Sequence, residues 1–293
     1  MKALLRISFI LLGILPLGLM HAIGVVVGNL LWLTPNKPRR MTLHHLALCL
    51  PELSLAQRRS LARQSLVQSA CSIFELPAIW YGPRGRLSHW LNQSAESDQL
   101  RALHAGGKGV ILLCPHMGAW ELAGMFCAAN GPMTSLYKPQ KGVLDELILE
   151  GRERLGAKLV PTAGNGVKAL LQALARHEMI GILPDHDPPE GAGVFAPLFG
   201  IPAHTTALVS KLAARTGAPV WFCLAERLPW ARGFRIHLKP LPVPVAVTDP
   251  ESGAAALNQD IEKVIRELPE QYWWSYKRFR RLPPGTPDPY ANL

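Results

Sequence analysis

A chain of 293 residues with 48% hydrophobic content is ample for one large domain, or for a domain with an appendage. A formal charge of +10 and a pI near 9.6 point to an anionic partner: acidic lipid surface, phosphorylated substrate, acidic carrier protein or nucleic acid. The five cysteines are odd in number and scattered through apolar runs, which excludes C-x-x-C metal or redox spacing and fits free thiols in a reducing compartment.

Leu4 to Leu33 is nearly uninterrupted apolar sequence, long enough to cross a bilayer once or to lie in it as two segments hinged near Pro16. A cleaved signal peptide is the rival reading, but the run continues past an h-region and no A-x-A-like site ends it. The flank after the run (Lys37, Arg39, Arg40) is more basic than the one before, which puts the rest of the chain in the cytoplasm. Residues 1–34 are therefore expected to be a membrane anchor and 35–293 the functional domain.

Residues 42–50, 54–74 and 79–91 read as helices separated by Pro51 and Pro77. Arg58, Arg59 and Arg63 fall at helical spacing, a solvated or membrane-facing basic stripe. Gly109 to Cys114 lacks polar alternation, the signature of a strand buried on both faces of a parallel sheet, and Ala119 to Ala129 reads as a helix stopped at Asn130-Gly131. Between them lies His116. On one continuous helix His116 and Glu121 would project about 140° apart, so they meet only if His116 sits in the turn and Glu121 points back from the first turns of the helix. A histidine at a strand's C-terminal end with a carboxylate in reach suits a general base, and a structural histidine is the alternative.

Further strands are expected at 134–137, 159–162, 179–183 and 219–225, with an edge strand at 233–238. Helices are expected at 143–155, 167–177, 205–216 and 254–268, with Pro197 to Gly200 as an exposed turn. The strand at 179–183 delivers Pro184-Asp185-His186-Asp187-Pro188 to its C-terminal end, where it can share a crevice with His116. Three consecutive residues rarely converge on one ion, so this loop is not expected to bind metal. The chain closes on Tyr272 to Arg281, aromatics interleaved with bases, as at a membrane interface. There is no G-x-S-x-G elbow, P-loop, G-x-G-x-x-G or H-E-x-x-H, which argues against a covalent serine hydrolase or a nucleotide-driven enzyme.

From the segment around His44-His45-Leu46 to Arg281, the chain resembles the late acyltransferases of lipid A biosynthesis, within the lysophospholipid acyltransferase superfamily. The likeness rests on His116-Met117-Gly118-Ala119-Trp120-Glu121-Leu122, Tyr137-Lys138-Pro139 with Gly151-Arg152, Pro184 to Pro188, Val194 to Gly200, and Pro269 to Trp274 with Lys277-Arg278-Phe279. Pro115 and Ala119 depart from the commoner pattern. The resemblance implies an α/β fold, a mixed and mostly parallel sheet flanked by helices, with an N-terminal membrane-anchoring helix. It implies acyl transfer from acyl-carrier protein, or acyl-CoA, to a hydroxyl of a lipid A precursor at the cytoplasmic face of the bacterial inner membrane, with no cofactor, metal or nucleic acid. His116 inherits the role of general base and Glu121 that of its partner. Arg152, with Arg154 in reserve, would hold the acceptor's phosphate region, and Asp185 would contribute to substrate binding. Backbone N–H groups after Met117 are expected to stabilise an oxyanion, and the region of Leu112, Met125 and Phe126 to house the acyl chain. Another envelope lipid as acceptor, or a membrane-associated glycosyltransferase, are the alternatives.

Overall fold

The computed structural model describes residues 2–162, 164–241, 245–291 and 293. The apolar N-terminus forms α1 (Lys2–Gly13) and α2 (Leu17–Leu33), bent by 107° where Pro16 interrupts them; among the described residues no single helix is long and apolar enough to cross a membrane. Four helices follow: α3 (Lys37–Cys49), α4 (Leu55–Tyr81), α5 (Arg84–Leu91) and α6 (Ser94–Ala105). Asn36 caps α3 and a Ser54–Gln57 capping box opens α4. Helix α2 lies against α4 because Gly24 and Gly28 have no side chain: a Cβ there would sit 2.8 Å from Cys71 Cα and 2.4 Å from Val67 Cα.

The expected break at Pro77 does not occur. Helix α4 runs through it to Tyr81, and the burial of Ala78, Ile79 and Trp80 offsets the backbone bond that proline removes. Helix α6, beginning at Ser94, has no counterpart in the expected elements.

The remainder alternates strand and helix: β1 (Val110–Leu113), α7 (Trp120–Ala129), β2 (Met133–Tyr137), α8 (Val143–Arg152), β3 (Lys158–Pro161), α9 (Gly166–Ala175) and β4 (Met179–Ile182). A hairpin of β5 (Gly193–Leu198) and β6 (Ile201–Thr206) precedes α10 (Leu208–Thr216), β7 (Val220–Arg227), β8 (Phe234–Pro240) and α11 (Pro250–Glu267). The main sheet has the order β3-β2-β4-β1-β7-β8, parallel except for the antiparallel edge strand β8. This is the expected mixed, mostly parallel α/β architecture.

Strand β1 lies near the middle of the sheet and is wholly buried, with Ile111 and Leu113 in one core layer and Val110 and Leu112 in the other. The helix expected at 205–216 starts later, because residues 201–206 pair with β5 across Phe199-Gly200, both at positive φ (51° and 73°) as a tight hairpin turn requires.

Candidate active site

In the sheet, Leu113 of β1 pairs with Ile182 of β4 in parallel register. His116 and Asp185 each lie three residues beyond that pair, so adjacent parallel strands deliver them side by side at their C-terminal ends. The His116 backbone N–H donates to Asp185 Oδ2 (3.1 Å), and Nδ1 lies 3.0 Å from Asp185 Oδ1. A carboxylate only accepts, so Nδ1 carries the proton. Nε2 is then the basic nitrogen, without a hydrogen-bond partner among the described residues, on a side chain 15% exposed. Burial of Asp185 works against its charge, yet the His116 ring, His186 and the bonds from His116 hold its carboxyl well below the usual carboxylate range.

The turn carrying His116 is fixed from three sides. Gly118 adopts φ 57°, and a Cβ there would sit 2.2 Å from Ala225 O, so only glycine lets the turn press on the end of β7. Gly118 N–H donates to Gln271 O (2.9 Å) and Ala119 N–H to Ala225 O (2.8 Å), while Trp273 N–H donates to His116 O (3.1 Å). From α4, Ser72 Oγ donates to Gly118 O, as does Arg227 from β7. Arg227 is itself held by buried Glu75 (2.5 and 2.9 Å), whose other neighbour is His21 of α2. Burial pushes the Glu75 carboxyl up, but Arg227 and His21 hold it below its ordinary value.

Glu121 does not meet the His116 ring. Its carboxylate accepts two bonds from Arg152 (2.8 and 2.5 Å), one from Trp80 Nε1 (3.1 Å) and one from Trp120 Nε1 (3.2 Å). The physical reason is the helix start: Glu121 lies in the first turn of α7 and faces α4 and α8, whereas the ring's bonded edge faces β4. Burial raises the Glu121 carboxyl, yet Arg152 and Trp80 leave it lowered overall.

Other expectations are also redirected. Arg152 is clamped to Glu121, its side chain 29% exposed. Arg154 donates to the carbonyls of Trp80 and Gly82, closing the C-terminal end of α4, which accounts for it structurally. Asp185 is 1% exposed, with both carboxylate oxygens turned to His116. The N–H groups of Gly118 and Ala119 are already bonded, so they are not free for an oxyanion.

A cavity of about 60 Å³ opens beside Trp120, Glu121 and Arg152, with Met125, Met133 and Leu136 on its walls. Leu112 and Phe126 are sealed in the core, so of the three residues expected to house the chain only Met125 lines this space. Met125 and Met133 are unbranched and flexible, so this wall can give way to a longer guest.

Among the described residues two groups are close enough to share a metal: Cys114, Cys127 and Cys223 in the core, and His116, Asp185 and His186. In the second group the two imidazoles lie flat on each other, 3.5 Å apart and 3° from parallel. Their lone pairs lie in the ring planes, and therefore in two separate parallel planes rather than directed at one point. Next along the loop, Asp187 is a tether: its carboxylate receives His204 Nδ1 (2.8 Å), Arg280 and Arg281, which pins the basic C-terminal segment.

The sequence also matches known proteins over nearly all this architecture. The profile of the family described as bacterial lipid A biosynthesis acyltransferase matches residues 3–281. The lipid A biosynthesis lauroyltransferase of Escherichia coli (strain K12) is 27% identical over 278 residues, 94% of this chain and 90% of that protein. The palmitoleoyltransferase of the same organism is 27% identical, covering 84% and 80%. A phosphatidylinositol mannoside acyltransferase of Mycolicibacterium smegmatis (strain ATCC 700084 / mc(2)155) is 31% identical over a shorter stretch, 56% of this chain and 54% of that protein. With a match spanning the turn, the second loop and the C-terminal segment alike, the chain belongs to the bacterial lipid A biosynthesis acyltransferase family and is an O-acyltransferase.

Proposed function

We propose that the protein transfers a fatty acyl chain from the thioester of acyl-carrier protein, or of acyl-CoA, to a hydroxyl of a lipid A precursor, with His116 as general base. The observation that carries this is His116 itself: Nδ1 fixed on buried Asp185, Nε2 unbonded and reachable. The hydroxyl oxygen attacks the thioester carbonyl as Nε2 takes its proton. The tetrahedral intermediate then collapses, the C–S bond breaks, and the imidazolium returns the proton to the departing thiolate. Asp185 holds the tautomer and offsets the charge on the ring. Among amides at the start of α7, those of Trp120 and Glu121 remain as donors for the oxyanion. Glu121 and Arg152 form one wall of the cavity that would receive the acyl chain, with Arg152 the cation nearest an anionic group bound there.

Catalysis takes place at a membrane surface, on the cytoplasmic face of the inner membrane in this reading, with residues 1–34 as the anchor. Leu11, Ile14, Val26, Leu30 and Leu33 of the bent helix pair are exposed. At the end of α2 the guanidinium groups of Arg39 and Arg59 flank the Trp32 ring at 5.0 and 5.6 Å. Trp230 stands 93% exposed in a turn that packs against α2, where Gly18 faces Ala231. Aliphatic face, aromatic edge and cationic rim together match a bilayer interface.

A different glycolipid acceptor is the second reading, favoured by the likeness to an enzyme named for phosphatidylinositol mannoside. The test is acyl transfer by detergent-purified protein from lauroyl-loaded acyl-carrier protein to tetra-acylated lipid A precursor. Transfer by the wild type that His116→Ala abolishes supports donor, acceptor and base together. Undiminished transfer by His116→Ala removes the base, and donor hydrolysis without transfer points to another acceptor.

A further inference from the structure

The second loop delivers more than Asp185. His186 lies face to face with His116, ring centroids 3.5 Å apart and planes 3° from parallel. On its other face Tyr276 stacks at 3.7 Å and 12°. The Tyr276 hydroxyl accepts the Asp187 N–H (3.1 Å), which ties the far end of the stack to the same loop. The result is a column of three rings with the basic histidine at one end, where its ring also lies 5.5 Å from that of Trp120.

Hydrogen bonding does not account for the middle ring, since His186 Nε2 is buried without a partner among the described residues. The ring is held by its faces. Burial, together with His116, Arg278 and Arg280, holds His186 down to about 3, against a smaller opposing pull from Asp185, so it stays neutral across the working pH range. Two stacked imidazoliums would repel; one imidazolium over a neutral aromatic face is attracted to it.

We propose that His186 is a positioning residue for His116: its neutral ring, backed by Tyr276, sets the plane of the base and stabilises the imidazolium that forms when His116 takes the acceptor's proton. This rests on the reading of His116 as general base. Asp185 and His186 then divide the work, the carboxylate acting on the ring's edge and the second imidazole on its face.

The test is kcat/KM against pH for the wild type, His116→Ala, His186→Phe, His186→Gln and His186→Ala, with thermal melting to confirm folding. The charged and titratable groups facing the column are Asp185 and Asp187 from its own loop, Cys114 just after β1, Glu121 from α7, and Arg278 and Arg280 from the C-terminal segment; all are common to the three His186 variants. Phenylalanine keeps the aromatic face and is expected to keep the wild-type profile within about twofold. Glutamine and alanine remove it, and are expected to lower kcat about tenfold and to move the acid limb down by about half a unit to one unit, the size of a lost cation–π contact. A role confined to packing lowers activity without moving the limb. If His116→Ala is inactive while the His186 variants share one unshifted limb, or while phenylalanine behaves as alanine, the proposal is overturned and the base stands. If His116→Ala keeps full activity, the base reading falls and this proposal with it.

Discussion

Two buried carboxylates flank the same turn, and they have been given opposite partners. Asp185 meets an imidazole, which gains and loses charge; Glu121 meets a guanidinium, which does not. On the proposed mechanism Asp185 stabilises a charge that appears only during proton transfer, whereas Glu121 neutralises one that is always present. A carboxylate in a reactive role thus differs from one in a structural or binding role chiefly by what it touches.

Activity should break this symmetry most sharply. Asp185→Asn offers the His116 ring a neutral partner, and kcat is expected to fall about 10²–10⁴-fold with thermal stability changed much less; the acyl-transfer assay and a melting curve measure the two. Equal loss of activity in Asp185→Asn and Glu121→Gln would erase the distinction between the two carboxylates.

Stability should separate them in the other direction. Arg152→Met leaves Glu121 enclosed by Trp80 and Trp120 without its cation, a change expected to cost about 3 kcal/mol. Adding Glu121→Leu should restore most of it. Urea titration of the single and double variants checks both, and a double variant no better than the single would show that Arg152 acts through something else.

A third contrast concerns pH. His45 of α3, bonded to the Trp274 carbonyl and the Tyr290 hydroxyl (both 2.6 Å), is pushed down to about 4, chiefly by burial. Its folded value lies below the unfolded one, so the unfolded chain binds the extra proton. Stability is therefore full above pH 6.5 and falls as the pH drops toward 4, by about 3 kcal/mol. His186, down to about 3, adds in the same sense. The depressed carboxyl of Asp185 works lower still: its stabilisation is present above the usual carboxylate value and is lost only in stronger acid. Melting temperature against pH should be flatter for His45→Asn between pH 6.5 and 4; an unchanged slope would acquit this histidine.

The smallest effect is expected at the surface. Trp230 and Ala231 both adopt positive φ (61° and 55°), an unfavourable conformation that holds the indole out in solvent. Trp230→Ala should change detergent-state stability by under about 0.5 kcal/mol. Its flotation with vesicles containing anionic lipid should weaken a few-fold, and unaltered flotation would remove Trp230 from the membrane face.

The loops that build the site are legible in the amino-acid sequence. His116 after a buried strand, Asp185 after another, the bend at Pro16 and the edge strand β8 all follow from runs of apolar residues and their punctuation. The partner of His116 is not legible there. Spacing along the chain nominates Glu121, five residues away, because local sequence reports only local neighbours. Asp185 is 69 residues away and becomes the partner through the pairing of Leu113 with Ile182. The continuity of α4 through Pro77 and the hairpin at 193–206 are hidden for a related reason, since burial against distant elements overrides local propensity. Sequence by itself determined which residues could do chemistry and at which strand ends they stand. Only the tertiary structure, through strand order and register, decided which of them touch.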